Sequence, residues 1–180
     1  MQKKIIGLTG PIASGKGTVK KYIEEKYGGK DCRFSTVMRD ILDRLGIEKT
    51  RESVQQMSTI LRQNFGQNIL AKVIAKDIER LDSDLIVVDG VRRLTDIEYL
   101  KDLQGFVLVK IDADPKTRYD RMIKRNENKG DDKKTYEQFL KDHEADSDYE
   151  VPIVMSHASK ALDNNGDLQN LYSQIDELLK

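Results

Sequence analysis

Apolar positions along the chain follow two rhythms that take turns. Short unbroken runs, such as "KIIGLT" at 4–9, "DLIVVDG" at 84–90 and "GFVLVKIDAD" at 105–114, alternate with stretches whose apolar residues recur every three or four positions. The runs predict strands buried on both faces, since a strand covered on one face only alternates with polar residues. The spaced stretches predict helices. Val19, Tyr22 and Ile23 form one, ended by Gly28-Gly29. "CRFS" at 32–35 is expected as a second strand. "TVMRDILDRLG" at 36–46 is expected as a helix with Ile41, Leu42 and Leu45 inward and Gly46 as its cap. Thr50 is expected to cap a helix carrying Val54, Met57, Leu61 and Phe65. Gly66 breaks it, and Leu70, Ile74, Ile78 and Leu81 continue in another. Pro115 opens "PKTRYDRMIKRN", a charged segment fills 126–150, "SKALDNN" forms a last strand, and 166–180 closes as an amphipathic helix.

Strands alternating with helices predict an α/β fold: a mostly parallel five-stranded sheet with helices on both faces, in three layers. No repeat or low-complexity linker divides the 180 residues, so a single domain over 1–180 is expected. Lys+Arg and Asp+Glu both number 31, so no basic excess points to a nucleic-acid partner. Cys32 is the sole cysteine, which excludes an intrachain disulfide and a zinc-ligand spacing. His143 and His157 form no visible constellation with it. Tyr and Phe are scattered without an obvious stacking platform. The apolar run in "MQKKIIGLTG" is too short for a signal peptide, and no stretch approaches the roughly 20 apolar residues that span a bilayer. The expectation is a soluble cytoplasmic protein with no membrane partner, acting as a monomer or homodimer.

One junction changes the picture. "GLTGPIASGKGTV" at 7–19 joins the first strand to the first helix, and Gly10 to Lys16 fits G-x-x-x-x-G-K. Glycines let a backbone wrap an anion with its N–H groups inward, and the helix N-terminus adds partial positive charge. Lys16 can reach terminal phosphates as a flexible point charge. The fold class sharpens to a P-loop NTPase fold, with ATP expected on Gly10, Ala13, Ser14, Gly15, Lys16, Gly17 and Thr18. The residue after the lysine is Gly17, and the hydroxyl comes one later at Thr18. Mg²⁺ is expected to be held through water by Thr18 and Asp89, the acid that closes "LIVVD".

Phosphoryl transfer asks mainly for positioning and charge neutralisation, which the arginine fork serves well. Arg39 lies one turn into the helix after the second strand. Arg92 and Arg93 follow "VVDG", and like Arg39 they lie just past a strand expected to neighbour the first. Arg118, Arg121 and Arg125 are spaced by 3 and 4 and share a helix face. Arg118 is expected on ATP. Arg121 and Arg125, with Lys16 and Asp89, are expected at the transferring group. Residues 116–134 carry eight basic against four acidic residues, while "EADSDYE" has four acids in seven. This polarity predicts a lid over 126–150 with "TYEQFLKDHEAD" as its return helix. Asp142, Glu144 and Asp146 are candidate partners for its arginines.

By these motifs the chain resembles the P-loop nucleotide kinases. "GKGT" is similar to the nucleoside monophosphate kinases, and "IIGLTGPIASGKGTV" also to dephospho-CoA kinase. "FSTVMRD" resembles a shortened acceptor segment, which implies that Ser35, Thr36 and Arg39 grip an acceptor phosphate. "DGVRR" implies the same for Arg92 or Arg93, and "RYDRMIKR" resembles a lid-bearing helix. "DGVRRLTDIEYL" and "DDKKTYEQF" resemble small kinase-like proteins grouped near dephospho-CoA kinase. The Asp-Ala-Asp phrase of that enzyme is absent after the second strand, and 36–82 reads as purely helical. The resemblance implies an ATP- and Mg²⁺-dependent kinase acting on a nucleoside or deoxynucleoside monophosphate. Dephospho-CoA kinase is the alternative, and an NTP-hydrolysing switch or assembly factor is the reading from another class. A switch needs no second phosphate site, and no N-K-x-D guanine-reading phrase is present.

Overall fold

The computed structural model describes residues 3–125, 131–142 and 149–180. Five strands, β1 (Lys4–Thr9), β2 (Lys30–Arg33), β3 (Leu85–Asp89), β4 (Phe106–Asp112) and β5 (Lys160–Asp163), form one sheet in the order β2-β3-β1-β4-β5. Every pairing is parallel. Parallel neighbours need crossovers, and helices supply them. The helices are α1 (Lys16–Tyr27), α2 (Phe34–Arg44), α3 (Arg51–Phe65), α4 (Ile69–Arg80), α5 (Leu94–Ile97), α6 (Pro115–Arg125), α7 (Tyr136–Asp142), α8 (Val151–Ser156) and α9 (Leu168–Leu179).

Each face of the sheet buries its own core, which is why the strands read as unbroken apolar runs. Ile5, Ile86, Val88 and Leu108 point to the face covered by α2, α4 and α8. Ile6, Leu8, Val87, Val109 and Ile111 point to the face covered by α1 and α9. Each such side chain stabilises the fold by about 1.5–3 kcal/mol relative to exposure. Burial also pushes the Cys32 thiol up to about 12, with Asp77 and Asp31 adding to the effect, so it is inert as a nucleophile.

Several expected boundaries shift. The second strand ends at Arg33, and Phe34 already belongs to α2. The longer helix adds Phe34 and Met38 to Leu42, four apart, on the face that meets the core. Leu45 and Phe65, expected inward, are 60% and 66% exposed. Both stand at helix ends, where the stripe runs out before the chain turns. Thr50 caps α3 as expected, its side chain accepting from Ser53 N at 3.1 Å. Gly28 ends α1 in the left-handed conformation at φ 69°. The short helices α5 and α8 carry too little periodicity to be seen in the sequence. The expectation that aromatics are scattered is also corrected. Tyr119, Tyr136 and Phe139 gather with centroids 5.4–6.4 Å apart, and Tyr22 stacks on Tyr172 at 4.0 Å.

Within the charged segment, 126–130 and 143–148 lie outside the described residues. With them go His143, Glu144, Asp146 and the side chain of Asp142. The described part is not a bare solvated hairpin. Phe139 and Asp131 are buried, and α7 packs on α6 through the aromatic group. Among the described residues, no helix is long and apolar enough to cross a membrane.

Candidate functional site

The loop between β1 and α1 is built as an anion cradle. Gly10, Ala13 and Gly15 take positive φ values of 149°, 59° and 108°. A Cβ on Gly10 would stand 2.3 Å from the Ile111 carbonyl oxygen, so the loop passes β4 at a distance that only glycine permits. Gly15 is the N-cap of α1, no side chain caps the helix, and no acid stands in its first turn. The N–H groups of that turn and the positive end of the helix dipole are left to a bound anion. Lys16 Nζ donates to the carbonyls of Gly10 at 2.6 Å and Pro11 at 2.9 Å, folding back over the loop. The Oγ atoms of Thr9 and Ser14 are buried without hydrogen-bond partners. Gly17 is exposed, and a Cβ there would meet nothing within 4 Å. Thr18 follows it, half-buried on the first turn of α1.

Two elements from the far half of the chain lock this cradle. Asn164, in the turn after β5, is buried; its N donates to Asp112 O at 2.8 Å and its Nδ2 to Ser14 O at 2.7 Å. Arg121 Nη2, from α6, approaches Asn164 Oδ1 at 3.4 Å, and Arg121 Nη1 is buried without a hydrogen-bond partner. Arg118 is buried one turn earlier. Its Nε donates to Ala113 O at 3.0 Å and its Nη1 reaches the Ile12 carbonyl of the loop at 3.4 Å. Its guanidinium lies 5.5 Å from the Phe139 ring centre. Burial pulls the pKa of Arg118 below its usual value, against the pull of Asp112. Arg125 ends α6 and is exposed.

On the other side of β1, Asp89 closes β3 with Arg33 Nη2 at 2.9 Å from its Oδ2. The expectation had Arg39 and the Arg92/Arg93 pair each past a neighbour of β1. The sheet order corrects half of that: β3 neighbours β1, but β2 is an edge strand beside β3. Arg33 is therefore the arginine that meets Asp89. Ser35 is half-buried and Thr36 exposed in the first turn of α2, and Arg39 is exposed one turn on. Arg92 is exposed and Arg93 half-buried, and their amides both donate to Asp96 Oδ2 at 3.0 Å. A groove of about 620 Å³ opens beside β2, lined by Cys32, Arg33, Thr36, Asp40, Arg44 and Asp77 among others. Because β2 is the edge strand, this groove is separate from the phosphate cradle.

Reading the sequence missed Arg33, Asn164 and Asp96. "LDNNG" at 162–166 carries the turn signal that could have marked Asn164. The other two carry no local signal. The residues present fit ATP: the cradle excludes Cβ atoms, first-turn N–H groups are uncapped, and a buried guanidinium nitrogen lacks a partner. Among the described residues, no group of three or more His, Cys, Asp and Glu could hold a metal ion. That fits a Mg²⁺ ion held largely by phosphates and water.

The family model of the AAA domain matches residues 6–147. A UPF0200 protein of Thermococcus sibiricus is 30% identical over 140 residues, which cover 75% of this chain and 72% of that one. Among solved structures, TT1252 from Thermus thermophilus superposes with a TM-score of 0.67 at 17% identity, over 99% of this chain and 97% of that one. The shikimate kinase of Bacteroides thetaiotaomicron does so with a TM-score of 0.57 at 15% identity, over 97% and 95%. The fold is that of the P-loop kinases.

Proposed function

The chain belongs to the AAA domain family and to the UPF0200 proteins, and on that footing we propose an ATP-dependent kinase that transfers the γ-phosphate to a nucleoside or deoxynucleoside monophosphate. One observation carries the reading. Arg121 and Asn164, from separate elements, converge on the loop at Ser14–Gly15, and the buried Nη1 of Arg121 has no hydrogen-bond partner. An unpartnered buried guanidinium nitrogen is costly unless an anion completes it.

The division of labour follows. The backbone N–H groups of Ala13 and of Gly15 to Thr18 receive the phosphates, while that of Ser14 donates to Pro11 O at 3.2 Å within the loop. Lys16 exchanges its two loop carbonyls for the terminal phosphate and neutralises charge as the bond to the leaving oxygen breaks. Arg121 and Arg125, on the helix that leads into a lid over 126–150, act on the same group, and closure of the lid excludes water. Arg118 acts on the nucleotide through the Ile12 carbonyl and the packing of Phe139. Mg²⁺, when bound, adds charge neutralisation between the phosphates. The Asp89 carboxylate, fixed by Arg33, would orient a water of that ion or the acceptor. Ser35 with Thr36 and Arg39, at the entry to the helical region 36–82, and Arg92 and Arg93, in the loop after β3, receive the acceptor phosphate. These arginines favour a kinase over a hydrolytic switch, which has no use for a second anion site.

A coupled ADP-release assay tests this with a panel of ribo- and deoxynucleoside monophosphates, dephospho-CoA and shikimate. The expected result is ADP release that depends on one class of monophosphate. Release driven by dephospho-CoA alone establishes the alternative acceptor. ATP hydrolysis indifferent to every acceptor replaces the kinase with a switch.

A further inference from the structure

Asp96 makes more bonds than a helix of four residues requires. It is third in α5, so one carboxylate oxygen capping the Arg92 and Arg93 amides is ordinary. An exposed acid does that equally well. Here Asp96 is 2% exposed, and its other oxygen accepts from Arg62 Nη2 at 2.6 Å. Arg62 is the one buried residue of α3. Its Nη1 also donates to Thr95 Oγ1 at 3.3 Å and to the carbonyl of Gln67, in the turn that joins α3 to α4. Its Nε is buried without a hydrogen-bond partner. A buried ion pair is a poor device for stability, since well-packed apolar residues of the same volume usually serve as well or better. Such a pair can instead fix one arrangement of the parts that it joins. Those parts are α3, the α3–α4 turn and the loop that carries Arg92 and Arg93.

We infer that Asp96 and Arg62 are positioning residues that fix the Arg92–Arg93 loop against α3 and so set the geometry of an anion site on that loop. The inference rests on the kinase reading for the site and for its anion, an acceptor monophosphate. Neither residue touches the anion. Asp96 orients the two amides and thereby the direction in which both arginine side chains leave the backbone, while Arg62 holds Asp96 to the acceptor side of the molecule.

The test uses the full chain with a non-hydrolysable ATP analogue and Mg²⁺ saturating the P-loop, and inorganic phosphate as the probe. Amide and guanidinium nitrogen signals of Arg92 and Arg93 are followed by NMR. Asp96→Asn alone orphans the Arg62 charge and risks unfolding. The informative variant is therefore Arg62→Met with Asp96→Asn, which removes both charges and leaves the loop amides an acceptor. The expected result is a saturable shift of Arg92 and Arg93 in the parent, and about tenfold weaker phosphate binding in the folded double variant with nucleotide affinity unchanged. Arg62→Lys, which keeps the charge, should return phosphate affinity to within about threefold of the parent. Three results overturn the inference: no saturable shift in the parent, unchanged phosphate affinity in the folded double variant, or equal losses of phosphate and nucleotide. The acceptor panel judges the kinase reading separately, so a site that binds phosphate without turnover leaves this inference standing and removes that reading.

Discussion

A Cβ on Gly15 would lie 2.1 Å from Asn164 Nδ2. The two residues are fitted to each other: glycine makes room for the amide, and the amide holds the Ser14 carbonyl at 2.7 Å. Asn164→Ala leaves that carbonyl and the Arg121 guanidinium short of a partner inside the protein. The loss should be about 1–2 kcal/mol, which weakens ATP roughly five- to thirtyfold. Gly15→Ala should be worse, because it meets both the collision and a φ of 108°. Calorimetric titration with ATP checks both. An Asn164→Ala protein that binds ATP like the parent removes Asn164 from the site.

Lys16→Ala should lower turnover by roughly 10²- to 10³-fold, as for other preorganised charges at a transferring group. The melting temperature should barely move, because the bonds from Lys16 to the carbonyls of Gly10 and Pro11 tie the loop to itself rather than to the core. Turnover and thermal melts on the same preparation separate the two effects.

Gly17→Ser places a hydroxyl directly after Lys16. The added Cβ meets nothing within 4 Å, and Gly17 lies inside the first turn of α1 without positive φ. Replacing a helical glycine should raise stability by a few tenths of a kcal/mol. The new hydroxyl should reduce the Mg²⁺ concentration needed for half-maximal activity. A titration of Mg²⁺ at fixed ATP, read beside the melting temperature, decides whether the position faces the ion.

The strands and the phosphate loop were legible because their causes are local. Burial on both faces leaves an unbroken apolar run, and a cradle for phosphate needs glycines at fixed spacing. Three other features were not legible. Asn164 meets Ser14 across 150 residues and Arg62 meets Asp96 across 34. Arg33 reaches Asp89 only because β2 pairs with β3 rather than with β1. Strand order is a property of the assembled sheet, and no spacing in the chain encodes it. The misread face of α2 has a nearer cause. Moving the helix start from Thr36 to Phe34 exchanges Leu45 for Phe34 in the core.

Asp176 should govern the acid limb of stability where α1 meets α9. It accepts from Lys26 at 2.8 Å, Tyr27 at 2.7 Å and Tyr22 at 2.9 Å. Lys26 first, then Tyr27, hold its carboxyl down to about 2. A depressed folded pKa gives stability that is complete above the unfolded value, near 3.9, and is lost as pH falls toward about 2. Asp176→Asn should therefore melt below the parent at pH 6, with the gap closing between pH 4 and 2. A gap independent of pH assigns the cluster to packing alone.

Phe139 offers a route from the described part of the proposed lid to the phosphate loop. Its ring is 1% exposed, lies between Tyr119 and Tyr136, and stands 5.5 Å from the Arg118 guanidinium. Arg118 in turn reaches the Ile12 carbonyl inside the phosphate loop. Removing the ring takes away the packing of α7 on α6 and loosens the guanidinium that braces the loop. Phe139→Ala should cost about 3–5 kcal/mol where α7 is part of the cooperative unit, and less where 131–142 opens on its own. Phe139→Leu keeps most of the volume and loses the aromatic face. Its stability should fall less, while its KM for ATP should rise severalfold because Arg118 is no longer held. Hydrogen exchange across 131–142 and KM values for ATP and acceptor, on both variants, make the distinction. A rise in the ATP KM that follows the loss of the ring rather than the loss of stability ties the lid to the loop through Arg118. KM values for ATP that match the parent in a folded Phe139→Leu protein confine Phe139 to packing.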